Sequence, residues 1–174
     1  GNKAWFSELC FCLLAANTSS LMAGKMQKAL GYKGFTHPEG EKAIVKLLNE
    51  QKCRFYNRRG HFIAVNNKHK NIKTKLEKQK DKISWLVENI KGFGYKEASH
   101  FLRNVGHFDH AILDKHVLNI MKENKLVKTL PKSMNPKIYL KFEEKLQTLA
   151  SDLSMTQGEL DMYLWYLKTG KVLK

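Results

Sequence analysis

The chain has 174 residues, 43% of them hydrophobic, which is enough for one domain with a buried core. Its 31 Lys and Arg residues against 16 Asp and Glu give a net charge of +15, which favours a polyanionic partner, although a solvated lysine-rich surface would give the same count. No apolar run reaches the roughly 18 residues of a membrane span, and no signal peptide is recognisable, so neither membrane insertion nor export is predicted.

Cysteine usage indicates the redox environment. Cys10, Cys12 and Cys53 are few and odd in number, so neither a disulfide framework nor a zinc site is predicted. We therefore expect a protein of the reducing cytoplasm.

Helical patterns fill the first 50 residues. Residues 5–16 are typical of a buried helix, and the polar run at residues 17–20 is typical of its end and of the next cap. We predict a second helix at residues 20–30, a loop at residues 31–40 and a third helix at residues 41–50.

Two aromatic and three arginine side chains follow at residues 54–59. An aromatic ring in such a cluster can wedge into a base stack, and the arginines can bind the flanking phosphates. Each ring, Phe55 or Tyr56, is also consistent with a core position. We assign Arg54, Arg58 and Arg59 to the DNA backbone.

Residues 66–82 are dense in lysine and poor in apolar side chains. This composition predicts an exposed helix or a mobile connection between two lobes. Any attraction to phosphate would be unspecific there, because a solvated charged face is the ordinary outcome of such a pattern.

The stretch at residues 83–116 carries the strongest signal. Apolar residues recur at helical spacing before and after the short loop Lys91-Gly92-Phe93-Gly94. Two glycines there allow positive φ and close approach of a ligand, and main-chain amides at a helix start can bind phosphate. We predict a helix-hairpin-helix at about residues 83–105 that binds DNA backbone through Gly92 and Gly94.

Two side chains near this hairpin suggest chemistry beyond binding. Lys96 lies off the apolar stripe in the first turn of the second hairpin helix, where the positive end of the helix dipole favours the neutral, nucleophilic amine. Asp114 follows 18 residues later, where a further helix begins, and is predicted to be its N-cap. An amine and a carboxylate beside a phosphate-binding turn suit cleavage at a nucleotide sugar.

The remaining chain is also helical. We predict a helix at residues 111–122 that begins near Asp114, and another from residue 137. A last helix begins with a capping box at Thr156 and packs through four apolar residues: Leu160, Tyr163, Leu164 and Leu167. Trp165 falls outside that stripe, so its ring either stacks on an extruded base or packs against another helix. With few strand signals, the class is all-α.

The residues of the hairpin and those around Asp114 resemble the signature of the helix-hairpin-helix DNA glycosylase superfamily, in the bifunctional branch that has a catalytic lysine. Residues 96–106 are similar to the archaeal-type 8-oxoguanine DNA glycosylase/AP lyases, and the likeness runs from about residue 6 to residue 174. The resemblance implies one domain, residues 1–174, built of two helical lobes with the active site between them.

The resemblance also implies a role for each site residue. Lys96 would attack C1′ of 8-oxoguanosine in duplex DNA while Asp114 stabilises the developing positive charge, and the strand would then be nicked by β-elimination. Other residues would bind the base or the DNA: Trp165 by stacking, Lys174 by distinguishing 8-oxoguanine from guanine, Asn17 by filling the vacated base position, and His116 at a backbone phosphate. No cofactor is implied, and we expect a monomer acting on nucleoid DNA.

Two alternatives stay open at this stage. The substrate could be another oxidised base, such as a pyrimidine, although no cysteine follows Cys53 to form the iron–sulfur loop of the endonuclease III relatives. The hairpin could also belong to a non-catalytic DNA-binding module. Such a module would need the glycine turn but not Lys96 together with Asp114.

Overall fold

A computed structural model describes residues 1–170, and these form ten α-helices and one short 3-10 helix, with no strand in that range. The all-α prediction is confirmed. The chain divides into two compact units, Gly1–Glu97 and Ala98–Lys174, and the division falls within one helix. No helix of the described part is both long and apolar enough to cross a bilayer.

The first unit is built around its N-terminal helix. Its elements are α1 (Asn2–Ala15), α2 (Ser20–Phe35), α3 (Glu41–Glu50), α4 (Tyr56–Val65), the 3-10 helix (Asn66–His69), α5 (Ile72–Leu76) and α6 (Lys82–Asn89). The side chains of α1 from Leu9 to Leu14 are buried without a break. This helix packs against α2, α4 and α5, which explains why its apolar residues show no single face.

The predicted loop at residues 31–40 is only partly right. Gly31 does interrupt α2, with φ 58° and ψ −174°, but helical structure resumes and continues to Phe35. The resumption is explained by burial, since Phe35 is fully buried in the core and anchors the last turn.

The prediction of an exposed helix or a mobile connection at residues 66–82 is only partly right, because a helix forms at Ile72–Leu76 but one face of the segment is buried. Four side chains in it are buried: Asn66, His69, Ile72 and Leu76. They recur every three or four residues, so a narrow stripe enters the core while the lysines between them remain at the surface. The amino-acid composition does not indicate this buried stripe, because only two of its four residues are apolar.

The second unit contains the remaining helices. They are α7 (Tyr95–Asn104), whose first turn belongs to the first unit, α8 (Lys115–Glu123), α9 (Pro136–Asp152) and α10 (Gln157–Thr169). The capping box predicted at the start of α10 is confirmed, with Thr156 and Glu159 bonded reciprocally.

The packing face predicted for α10 is partly wrong. Tyr163 and Leu167 are 58% and 77% exposed, whereas Leu160, Asp161 and Leu164 are buried. Asp161 is directed inwards because it pairs with Arg103 of α7, and this pairing rotates the buried face of α10 relative to the stripe that hydrophobicity alone predicts.

Candidate active site and DNA-binding residues

The hairpin turn is fixed by a side chain that the sequence analysis missed. The fully buried Asn66 donates from Nδ2 to the Lys91 carbonyl at 2.9 Å and accepts from the Lys91 amide at its Oδ1 at 3.0 Å. One amide side chain thereby satisfies both main-chain polar groups of Lys91, which holds the start of the turn in a single conformation. Nothing in the local pattern around Asn66 signals this long-range contact.

The two glycines of the turn have different roles. Gly92 has φ +94°, and a Cβ on it would lie 2.5 Å from the Phe62 ring and 3.0 Å from Leu13. Gly94 is not in the positive-φ region, so the expected need for positive φ is confirmed only at Gly92. The Gly94 amide donates to Glu97 Oε2 at 3.3 Å, so a phosphate bound at this amide would compete with that carboxylate.

Lys96 lies in the first turn of α7, as predicted. Its side chain is 37% exposed, and Nζ is 3.7 Å from Glu97 Oε1. An ion pair of this length and exposure contributes little, so the amine is not held in a buried salt bridge.

Asp114 is the N-cap of α8, as predicted, and three N–H groups bind it. The main-chain amides of His116 and Val117 donate to Oδ1 at 2.8 and 2.9 Å. The indole Nε1–H of Trp165 donates to Oδ2 at 3.1 Å. Donors on both oxygens fix the plane of the carboxylate.

The segment that leads into Asp114 is also fixed. The hydroxyl of the buried Tyr139 donates to the Ala111 carbonyl at 2.8 Å and accepts from the Leu113 amide at 3.3 Å. Burial raises the pKa of Tyr139 far above its usual value, so the hydroxyl keeps its proton. A tyrosine of α9 therefore helps to determine where α8 begins.

Trp165 is partly buried and touches the start of α8. Besides its bond to Asp114, its ring meets the His116 ring edge-on, with centroids 6.0 Å apart.

One turn earlier in α10, Asp161 accepts from Arg103 at 2.7 Å. Burial raises the pKa of Asp161 to about 7, with Asp114 adding to the rise and Arg103 opposing it.

The aromatic–arginine cluster separates into exposed and buried members. Phe55 is 52% exposed with φ 59°, so it is not a core residue. The Arg54 guanidinium lies 4.6 Å from the centre of the Phe55 ring, and the exposed Arg58 lies over Phe62 at 5.3 Å. The assignment of Arg59 to DNA backbone is wrong, because Arg59 is only 4% exposed.

Arg59 instead supports the turn that carries Asn17. Its guanidinium donates to the Ala16 carbonyl and, at 2.8 Å, to the Thr18 hydroxyl. Asn17 lies between these two residues, exposed and with φ 56°. The same guanidinium lies 5.9 Å from the Phe55 ring centre, so Arg59 links the two loop tips that were predicted to contact DNA.

Lys174 lies outside the described residues. Within residues 1–170 no group of three or more His, Cys, Asp or Glu side chains could hold a metal ion. The three cysteines are buried free thiols.

Comparison with known proteins places this all-helical chain, with its hairpin and capped aspartate, among DNA repair enzymes. The family model described as 8-oxoguanine DNA glycosylase matches residues 1–155. A Methanocaldococcus jannaschii protein named 8-oxoguanine DNA glycosylase/AP lyase is 43% identical, over 99% of this chain and 84% of its own length. The protein of that name from Aquifex aeolicus is 40% identical, over 97% and 78%.

Solved structures of related proteins are similar to this chain in backbone conformation as well as in sequence. The Methanocaldococcus jannaschii glycosylase/lyase in complex with a 15mer DNA containing 8-oxoguanine matches with a TM-score of 0.95 and 41% identity, over 100% of this chain and 84% of that one. The Thermotoga maritima 8-oxoguanine DNA glycosylase gives a TM-score of 0.91 and 42% identity, over the same shares. The chain therefore belongs to the 8-oxoguanine DNA glycosylase family.

Proposed function

We propose that this protein is a bifunctional DNA glycosylase/AP lyase that excises 8-oxoguanine from duplex DNA, with Lys96 as nucleophile and Asp114 as electrostatic catalyst. Two observations on a member of this family carry the proposal. Among residues 1–170 the Lys96 amine has no buried ion pair. The Asp114 carboxylate has donors on both oxygens. All 174 residues act as one domain of two helical lobes.

The reaction begins with extrusion of the damaged nucleotide, because its sugar cannot be reached inside the stack. The Lys96 amine, in its uncharged form, forms a bond to C1′ as the C1′–N9 bond breaks, and the base leaves with the electron pair. The departing base takes up the proton that the newly bonded Lys96 nitrogen loses. Opening of the sugar gives a Schiff base. Loss of a C2′ proton then breaks the C3′–O bond, which nicks the strand.

Asp114 acts while the glycosidic bond breaks. Positive charge develops at C1′ and the ring oxygen, and a fixed carboxylate stabilises it without reorientation. The N–H donors on Asp114 supply that fixation. This chemistry needs no metal or organic cofactor.

The other site residues bind the base and the DNA. Trp165 stacks on the extruded base and Lys174 discriminates 8-oxoguanine from guanine. DNA contacts come from the hairpin, from the N-terminal loops and from one histidine: Gly92, Gly94, Asn17, Arg54, Phe55, Arg58 and His116. The protein acts as a monomer on nucleoid DNA in the cytoplasm, and its net charge of +15 strengthens binding in a salt-dependent way.

Borohydride trapping tests the proposal. The protein is incubated with duplexes containing 8-oxoguanine, guanine or an AP site, and borohydride reduces any Schiff base to a stable protein–DNA adduct. We expect adducts with the 8-oxoguanine and AP-site duplexes and none with the guanine duplex. Lys96→Gln should abolish both adducts, because an amide cannot form the imine.

Lys91→Gln is the matched control, since Lys91 is an exposed lysine of the same hairpin whose main chain, not its side chain, is held by Asn66. It should keep both adducts. Tight DNA binding without an adduct would identify a non-catalytic module, and an adduct that survives in Lys96→Gln would assign the nucleophile elsewhere.

A further inference from the structure

Trp165 has two chemically different parts, a ring face that can stack and an indole N–H that can only donate a hydrogen bond. Stacking requires only the face. In this structure the N–H is directed at a specific acceptor, Asp114 Oδ2, at 3.1 Å.

The acceptor is the carboxylate to which the proposed reaction assigns charge stabilisation. Asp114 Oδ1 already accepts from the main-chain amides of His116 and Val117, as any N-cap aspartate can. Those two bonds hold only Oδ1, so rotation of the carboxylate is restricted less than it is when both oxygens are hydrogen-bonded. The indole bond holds the second oxygen, so the carboxylate plane is set only when Trp165 is in place.

Trp165 is itself held from several sides, so it can impose this orientation. Its ring meets the His116 ring edge-on. One turn before Trp165, the pair between the buried Asp161 and Arg103, at 2.7 Å, fixes the helix. A donor on a helix that is fixed in this way gives a preorganised hydrogen bond.

We propose that Trp165 is a positioning residue for base excision, whose indole N–H orients the Asp114 carboxylate in addition to any stacking by its ring. This inference rests on the function proposed above. It assigns Trp165 a role that a phenylalanine, which could stack equally well, cannot fulfil.

Trp165→Phe separates the two parts, because it keeps an aromatic face and removes the donor. We expect single-turnover excision of 8-oxoguanine to slow by about 10- to 100-fold, the usual effect of losing a hydrogen bond to a charged group, with KM nearly unchanged. Cleavage of a preformed AP site should fall much less, since no glycosidic bond is broken. Trp5→Phe, the same change in the first unit, is the matched control and should leave excision unchanged.

A double-mutant cycle tests the connection to Asp114. If the N–H acts through the carboxylate, Trp165→Phe should slow excision by less than about threefold in an Asp114→Asn background. Wild-type excision rates in Trp165→Phe, or an undiminished loss in the Asp114→Asn background, would overturn the inference.

A spectroscopic measurement gives a readout that does not need activity. The three tryptophans provide three indole N–H resonances in a ¹⁵N spectrum, each assigned from its Trp→Phe variant. Asp114→Asn should move the Trp165 resonance and leave those of Trp5 and Trp85 in place. An unmoved Trp165 resonance refutes the hydrogen bond, whereas a wild-type protein that forms no borohydride adduct refutes the proposed function instead.

Discussion

The two proposed catalytic side chains are held in opposite ways. Lys96 is more than one-third exposed and makes a loose ion pair to Glu97 at 3.7 Å. Asp114 receives hydrogen bonds from two main-chain amides and one indole, all at 3.1 Å or less. The nucleophile is thus nearly unrestrained and the carboxylate is fixed.

The difference follows from what each group has to do. A nucleophile must approach C1′, form a bond and stay attached while the sugar opens, so it needs freedom along its side chain. A charge that stabilises a transition state contributes most when it does not have to reorganise. Rigidity around Lys96 lies instead in the main chain of the hairpin, where Asn66 and Gly92 hold the turn.

Among the changes that test this comparison, removing the charge of Asp114 should have the largest effect on the rate of base excision. We expect Asp114→Asn to slow base excision by about 100- to 1000-fold, the size found when one preorganised electrostatic contact is lost. Asparagine is an equally good N-cap, so the melting temperature should change by only a few degrees and DNA binding should persist. Single-turnover kinetics, calorimetry and a binding titration check the three parts. Undiminished excision would remove Asp114 from the mechanism.

The rigidity of the hairpin can be broken at Gly92. Gly92→Ala should lower the free energy of unfolding by about 2–4 kcal/mol, because the new Cβ meets Phe62 and the φ of +94° is strained for alanine. Gly94→Ala is the control within the same turn, since its Cβ would lie 3.5 Å from Glu97 Oε2 and its φ is not positive. Denaturant unfolding compares the two. Equal losses would show that the turn is not held as described.

The buried carboxylate of Asp161, one turn before Trp165 in α10, should make the stability of the protein depend on pH. Its pKa of about 7 lies above the usual value near 4, so the folded state binds the proton more tightly than the unfolded state. Its contribution to stability is therefore greatest below about pH 4 and is lost as pH rises towards 7, by at most about 1.4 kcal/mol per pH unit. Asp161→Asn cannot ionise and should escape this loss.

Calorimetry at pH 4.5 and pH 7.5 measures the effect, and the melting temperature of Asp161→Asn relative to that of the wild type should rise with pH. A relative melting temperature that falls with pH would mean that attraction by Arg103 outweighs burial.

Removing the ion pair between Glu97 and Lys96 should have the smallest effect on the rate of base excision. Glu97→Gln removes the charge of the ion pair but keeps a side-chain oxygen that can accept from the Gly94 amide. We expect excision and adduct formation to change by no more than about threefold, because exposed ion pairs contribute roughly 0–1 kcal/mol. A tenfold change in the single-turnover rate would show that Lys96 is restrained after all.

Local sequence was sufficient wherever a feature depends on neighbours along the chain. The N-cap at Asp114, the capping box at Thr156 and the position of Lys96 in the first turn of α7 are all confirmed, because capping and helix periodicity act within four residues. The all-α class followed from the same periodicity, and the family resemblance of residues 96–106 is confirmed by the family match.

Tertiary structure decided which polar side chains enter the interior. Asn66, Arg59 and Asp161 have polar side chains, yet each is buried with a partner distant in sequence: Lys91 for Asn66, Ala16 and Thr18 for Arg59, and Arg103 for Asp161. The bond from Trp165 to Asp114 spans 51 positions in the same way. Burying a polar group is favourable only when a matching group meets it in space, and no local pattern records that match.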